Sequence, residues 1–394
     1  MEKKVKKTRE KLSFIRGLLT GLGIVAVIYF VSMALPVGGY AQKPGTLQAL
    51  RKSKEIQRMI QNYYLDEVDE LTQTEYMYLG QVAGLGDEYS TYYTPEQYAS
   101  YQRKQAGAYM GIGISIALAG EDESEIVIVE CQEGYPAAEA GIQVEDVILA
   151  VNGEEVEGMT TAEVSTLIQS SENNTVILTL RREGESDSFD ISVEMTELEQ
   201  TYVEGEMLNK TVGYISISQF TGVTSNQFKN TYGELQLQGM EKLILDLRGN
   251  PGGLVDSACD TLSQIISSGV LVYTEDKNGK RTERTSDGIG SIEIPLVVLV
   301  NADTASSAEI FAGAIQDYQV GTIVGETTYG KGIVQDTYRL SDGSYLKLTV
   351  SRYFTPNGHN IHGVGITPDV EVSMDTDSDK DIQLDEALKL IAEL

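Results

Sequence analysis

Residues 295–317 read PLVVLVNADTASSAEIFAGAIQD. The run from Leu296 to Val300 is apolar throughout, so a strand there has no face for water. Such a strand belongs inside a parallel sheet covered by helices. Small hydroxyl residues follow, and then apolar residues at helical spacing, so a strand, a turn and a helix are expected. This is a good setting for a nucleophile, because the free N–H groups of a helix start favour a developing anion. A serine hydroxyl needs a base, however. The chain's two histidines, His359 and His362, fall together in one late segment.

The pattern repeats on both sides of this stretch. VGYISISQF precedes a helical SNQFKNTYGELQLQ, and KLILDL runs through RGNPGG into LVDSACDTLSQIISS. GTIVG follows the opening stretch, so residues 197–374 predict an α/β core with a largely parallel sheet. Residues 105–196 predict a β-rich unit with strands at YMGIGISIAL, EIVIVECQ, EDVILAVNG, NTVILTLRR and SFDISVEM. Its helix candidates are AAEAGI and TTAEVSTLIQ. Residues 46–104 predict helices, with Leu47, Leu50, Ile56, Met59 and Ile60 at helical spacing. Residues 375–394 hold an acidic loop and a helix that gathers Leu384, Leu388 and Ile391 on one face.

The fold class expected is therefore a mixed α/β and α+β multidomain chain. Its 394 residues suffice for two or three domains. Net charge is −29, which argues against nucleic acid as a partner. The first sixteen residues run against this, with seven basic side chains and two acidic ones. After this basic end, residues 1–13, comes GLLTGLGIVAVIYFVSMAL, long enough to cross a bilayer core of about 30 Å. Residues 14–36 are read as a transmembrane anchor, residues 37–45 as a linker, and the rest as extracytoplasmic. A cleaved signal peptide is the competing reading. The apolar run is long for a signal core and lacks a crisp A-x-A site, which favours the anchor. Cys131 and Cys259 are expected as two buried thiols rather than a disulfide or a metal pair.

Four stretches carry chemistry. Ser306 opens S-S-A-E, which reads equally as a helix cap, with Asp303 and Thr304 as rival caps. In GETTYGKGIVQ, Lys331 stands between glycines and before Ile333 and Val334. Burial there would favour the neutral amine, and a surface loop lysine is the plainer alternative. DLRGNPGG reads as a turn between strand and helix that could aim backbone N–H groups into a crevice at strand carboxyl ends, as an oxyanion hole or a phosphate nest, or be only a tight turn. No P-loop lysine follows it, which argues against nucleotide binding. YMGIGIS could offer N–H groups to a peptide carboxylate. The histidines, set among Gly, Pro and Asn, are expected as loop residues without a metal.

Taken in order, these stretches resemble the C-terminal processing peptidases, or tail-specific proteases, over nearly all of the chain beyond the anchor. GLGDEYSTYYTPEQY is similar to the segment before the family's PDZ domain. YMGIGIS through AAEAGIQVEDVILAVNG is similar to that domain. DLRGNPGG, NADTASSAEIFAGAIQD, GETTYGKGIVQ and GVGITPDV fall in the family's order. The resemblance implies a serine–lysine dyad: Ser306 as nucleophile, Lys331 as base, and Gln335 as its orienting partner. It implies oxyanion donors at the N–H groups of Ser307 and Gly252, with Gly253 as an alternative. It also implies capture of protein tails along Met110, Gly111, Ile112, Gly113 and Ile114, and no cofactor. Pairing of terminal helices into a homodimer and an activating partner are further implications. The chain departs from the family in two places. Ser307 stands beside Ser306 as a decoy, and glycine precedes NPGG where asparagine is common. Two rival classes are an inactive membrane-tethered PDZ scaffold and a non-peptide acyl hydrolase of crotonase-like kind.

Overall fold

Leu296–Val300 is buried at all five positions, in the interior of a six-stranded sheet. The computed structural model describes residues 45–120, 125–185, 187–286, 288, 292–374 and 380–394. The expected anchor, 14–36, and most of the acidic loop lie outside the described residues. Among the described residues no helix is long and apolar enough to cross a membrane. In space the sheet runs Val203–Met207, Val212–Ile217, Lys242–Asp246, Leu296–Val300, Thr322–Gly325 and Val370–Glu371. Only the first pairing is antiparallel.

Side-chain alternation along these strands feeds two cores. Leu243, Leu245, Val298 and Val300 face Phe228, Leu262 and Phe311, from the helices Thr224–Leu237, Val255–Leu262 and Ser307–Tyr318. Ile244, Val297 and Leu299 face the other way, onto Ala387 and Ile391 of the helix Ile382–Glu393. Each fully buried Leu, Val, Ile or Phe contributes roughly 1.5–3 kcal/mol. The C-terminal apolar face thus covers the chain's own sheet. Arg248 fixes that helix, donating to both Asp246 and the helix cap Asp381.

The expectation of one largely parallel sheet describes only part of the core. A second sheet of five strands is antiparallel wherever its strands pair: Thr91–Tyr93, Gly269–Asp276, Arg281–Ser286, Ile333–Arg339 and Tyr345–Phe354. Tyr345–Phe354 pairs with three of the others, and its buried Tyr353 joins the main core.

The β-rich region forms its own antiparallel sheet around Ile128, Val164, Val176 and Leu178. The stretch expected as one strand at YMGIGISIAL breaks into Ala108–Gly111 and Ile114–Ala119. The break falls at Ile112 and Gly113, where φ at Gly113 is 83°. Ala108–Gly111 pairs instead with Thr196–Glu199, so the chain enters and leaves this region side by side. Ile114–Ala119 is an edge strand of the sheet. Both cysteines are free, and Cys131 is half-buried rather than buried.

The chain divides into two compact units, residues 1–76 and 77–394. In the first, the helix Gly45–Tyr63 is linked to the following helix by Gln61, which donates to Glu70. Its large apolar side chains Leu47, Leu50, Ile56 and Met59 are all exposed.

Candidate active site

Two turns meet at the carboxyl ends of Lys242–Asp246 and Leu296–Val300. Asn301 Oδ1 accepts the N–H of Gly249 at 2.9 Å, and Thr304 Oγ1 donates to the Leu247 carbonyl at 2.9 Å. Ala305 N–H donates to the Asn250 carbonyl. Asn250 is fully buried and ties its own turn, donating to Ile217 and accepting from Gly252. The asparagines and threonine of NADT and RGN therefore act as stitches. Neither Asp303 nor Thr304 caps the helix.

The helix begins at Ser307, with Ser306 at the cap position. Ser306 has φ 58° and ψ −121°, a left-handed backbone that a non-glycine residue adopts at a cost of order 1–3 kcal/mol. Its hydroxyl makes no cap bond. Glu309 does the capping instead, since its Oε2 accepts the Ser306 N–H at 2.8 Å. The Glu309 N–H goes to the Ser306 carbonyl, not to the hydroxyl. Ser306 is half-buried, whereas Ser307 is fully buried and its Oγ has no partner among the described residues. Of the two neighbouring serines, only Ser306 presents itself to a substrate.

Glu309 is fully buried and gathers the lysine loop as well. Oε1 accepts the Thr328 hydroxyl at 2.6 Å and the Gly330 N–H at 2.7 Å. Oε2 accepts the Lys331 N–H at 2.8 Å, the same distance as from Ser306. One oxygen thus holds the backbone of both residues. Across from it, the buried Tyr353 hydroxyl lies against the carbonyls of Ser306 and Lys331. The Lys331 amine is pushed below the usual lysine range, first by burial and then by the Lys347 ammonium. Glu88, Asp87 and Glu309 pull the other way. Its Nζ stands 4.3 Å from the centre of the Tyr89 ring.

Other expected site residues fall as follows. Gln335 Nε2 donates to Thr349 Oγ1 at 3.2 Å, and among the described residues no hydrogen bond joins Gln335 to Lys331. Gly252 packs directly on the serine, since a Cβ there would lie 2.7 Å from Ser306 Cβ and 2.9 Å from Ser307 N. Its N–H, however, points at Asn250 Oδ1, 2.8 Å away. The N–H groups of Ser307 and Gly253 have no acceptor among the described residues. Met110 to Ile114 line a groove of about 630 Å³, walled by Ile168 and Gln169 and flanked by Arg103 and Lys104. His359 and His362 are exposed loop residues, and His359 Nδ1 lies 3.5 Å from Asp317.

Residues 211–372 match the profile of peptidase family S41, and residues 127–182 match that of the PDZ domain. A probable CtpA-like serine protease of Staphylococcus aureus is 32% identical over 366 residues, which cover 92% of this chain and 72% of that protein. The chain belongs to peptidase family S41. A carboxyl-terminal-processing protease of Synechocystis sp. is 34% identical over 320 residues, 79% of this chain and 75% of that protein. Among solved structures, a photosystem II D1 C-terminal processing protease is 29% identical. That alignment covers 84% of this chain and 94% of that one, with a TM-score of 0.49. As an S41 member the chain is a serine-type peptidase with a PDZ domain.

Three parts of this S41 site escape a reading of the sequence alone. Glu309 shows there only as the end of a capping box. Tyr353 sits in YLKLTVSRYF, a strand of mixed polarity. Tyr89 belongs to a turn-rich stretch more than two hundred residues before the lysine it faces. No periodicity points to such a contact.

Proposed function

We propose that this chain is a membrane-anchored endopeptidase that captures protein tails in its PDZ groove and cuts them with a Ser306–Lys331 dyad. The observation that carries this reading is the shared grip of Glu309 Oε2 on the backbone of both residues. A neutral Lys331 amine takes the Ser306 proton as Oγ attacks the scissile carbonyl. The oxyanion meets the Ser307 N–H and a second N–H from the NPGG turn, a type of contact that contributes about 3 kcal/mol. Gly252 serves as that second donor once its N–H leaves Asn250, and Gly253 is the alternative. Lys331 then protonates the leaving amine, and afterwards draws a proton from the water that releases the acyl group. Gln335 serves as the orienting partner once its amide turns from Thr349 to the Lys331 amine.

Tail capture rests on the free edge of Ile114–Ala119, to which an extended peptide can add as a strand. Ile112 and Gly113 have N–H groups without acceptors among the described residues, and Arg103 and Lys104 stand nearby. These suit a free carboxylate. The anchor rests on the apolar run 14–36, which places catalysis outside the cytoplasm.

The test uses a peptide with an apolar carboxyl end. Wild type is expected to cut it, with kcat/KM rising with pH through an inflection below the ordinary lysine range, because the neutral amine is the active form. Ser306→Ala and Lys331→Ala should each lose at least about a thousandfold in kcat. Retained hydrolysis in either variant would falsify the dyad.

A further inference from the structure

The groups around Lys331 come from several parts of the fold. Glu309 lies on the helix Ser307–Tyr318, and Lys347 and Tyr353 on the strand Tyr345–Phe354. The remaining neighbours, Asp87, Glu88 and Tyr89, belong to a turn outside the S41 match. That turn is firmly built. Asp87 accepts the Tyr89 N–H at 3.1 Å and the Ser90 hydroxyl at 2.5 Å. Thr349 N–H donates to Ser90 Oγ at 3.0 Å, and Thr91–Tyr93 pairs with Tyr345–Phe354 so that Thr91 sits opposite Lys347. The chain on both sides of Tyr89 is therefore fixed, and its half-buried ring has its centre 4.3 Å from Nζ.

We propose that Tyr89 is a positioning residue of the dyad, its ring covering the Lys331 amine, shutting out water and fixing where the amine can point. The inference rests on Lys331 being the base, as argued above. A ring face also attracts an ammonium, so two effects oppose each other. Water exclusion favours the neutral amine, whereas the π face favours the charged one. Burial heads the causes that act on this amine, and the proposal is that the ring's share of that burial exceeds its π attraction. The plainer alternative is a resting contact between a charged lysine and a ring, which leaves the amine's titration and turnover unchanged when the ring goes.

Three variants of the full chain separate these cases. Tyr89→Phe keeps the ring, Tyr89→Leu keeps bulk without a π face, and Tyr89→Ala opens the amine to water. In Tyr89→Ala, kcat at neutral pH should fall at least about tenfold with KM within about twofold, and the acid limb of kcat/KM should move up by about a unit. Tyr89→Phe and Tyr89→Leu should stay within about threefold of wild type. A second readout needs no turnover: competitive acetylation of Lys331 across pH, followed by mass spectrometry in a Ser306→Ala background. If Lys331 titrates low there and the added Tyr89→Ala raises it, the proposal stands. If it titrates low and Tyr89→Ala leaves it unmoved, Tyr89 is no cover, while the dyad survives. If Lys331 titrates as an ordinary lysine from the start, the dyad reading fails and takes this inference with it. A Tyr89→Leu variant as impaired as Tyr89→Ala also overturns the covering role.

Discussion

Glu309 accepts four hydrogen bonds with two oxygens, in a place that water does not reach. A carboxylate suits this because it accepts on both oxygens and donates on neither. Glutamine has the same shape but the wrong chemistry. Whichever way its amide turns, two of the four donors would face an NH₂ group. Each buried donor left without an acceptor costs roughly 1–3 kcal/mol. Glu309→Gln should therefore destabilise the protein by about 3 kcal/mol and lower kcat by roughly a hundredfold, since Ser306 and Lys331 lose their common anchor. Chemical unfolding and steady-state kinetics check this together. A variant with wild-type stability and turnover would show that Tyr353 alone keeps the two residues in place.

Among the elements, the helix Pro95–Ala106 has an instructive position. Arg103 and Lys104 in its last turn border the PDZ groove, and its far side meets the loop 219–223 of the core. Gly222 N–H donates to the Gln105 carbonyl at 2.9 Å. Phe220 in turn bonds through its N–H to the Gly252 carbonyl and through its carbonyl to the Leu254 N–H. A chain of backbone contacts thus runs from the groove to the NPGG turn. The helix ends at Gly107, with φ 82°, and a Cβ there would come within 2.7 Å of Thr221 Oγ1 and Val223 Cγ2. Gly107→Ala combines left-handed strain with that clash, so a loss of about 2 kcal/mol is expected, or several degrees in Tm. Turnover on tail peptides should fall further than turnover on a short activated ester. Equal losses on both would mean that this junction is only structural. The sequence makes some of this legible and hides the rest. Buried parallel strands announce themselves as unbroken apolar runs, and capping residues mark the helix starts. The second sheet does neither: Arg281–Ser286 has no apolar residue, and Ile333–Arg339 turns polar after its first two. Its register comes from pairing with Tyr345–Phe354, a long-range fact. The candidate dyad residues could be matched by motif, but the Glu309 carboxylate and the Tyr89 ring reach them from across the fold.

At the scale of the whole molecule, charge and exposed apolar surface pull in opposite directions. The chain carries −29, and with the basic first sixteen residues set aside the remainder carries −34. Two copies therefore repel. Yet Leu47, Leu50, Ile56 and Met59 line one helix with 62, 56, 49 and 56% of their surfaces exposed. At about 100° per residue Leu47 and Leu50 fall on one side of the helix and Ile56 and Met59 on the other, so these are two exposed apolar patches, and patches of this kind mark contact surfaces. The C-terminal helix is not free to supply its partner, because Ala387 and Ile391 are already buried against the parallel sheet. The prediction is that a second copy of this helix, related by a two-fold axis, covers these patches by self-complementarity. Like charges are screened beyond about 8 Å at physiological salt, whereas apolar contact is not weakened by salt. A chain beginning at residue 45 should then sediment as a dimer at micromolar concentration, and should associate more tightly as salt is raised. Leu50→Glu with Ile56→Glu should return it to monomer, since each charge opposes burial of the patch it sits in. If the parent chain sediments as a monomer at every salt concentration, the homodimer is wrong. Association that weakens with salt would mean that ion pairs hold the copies together, against the sign of the net charge.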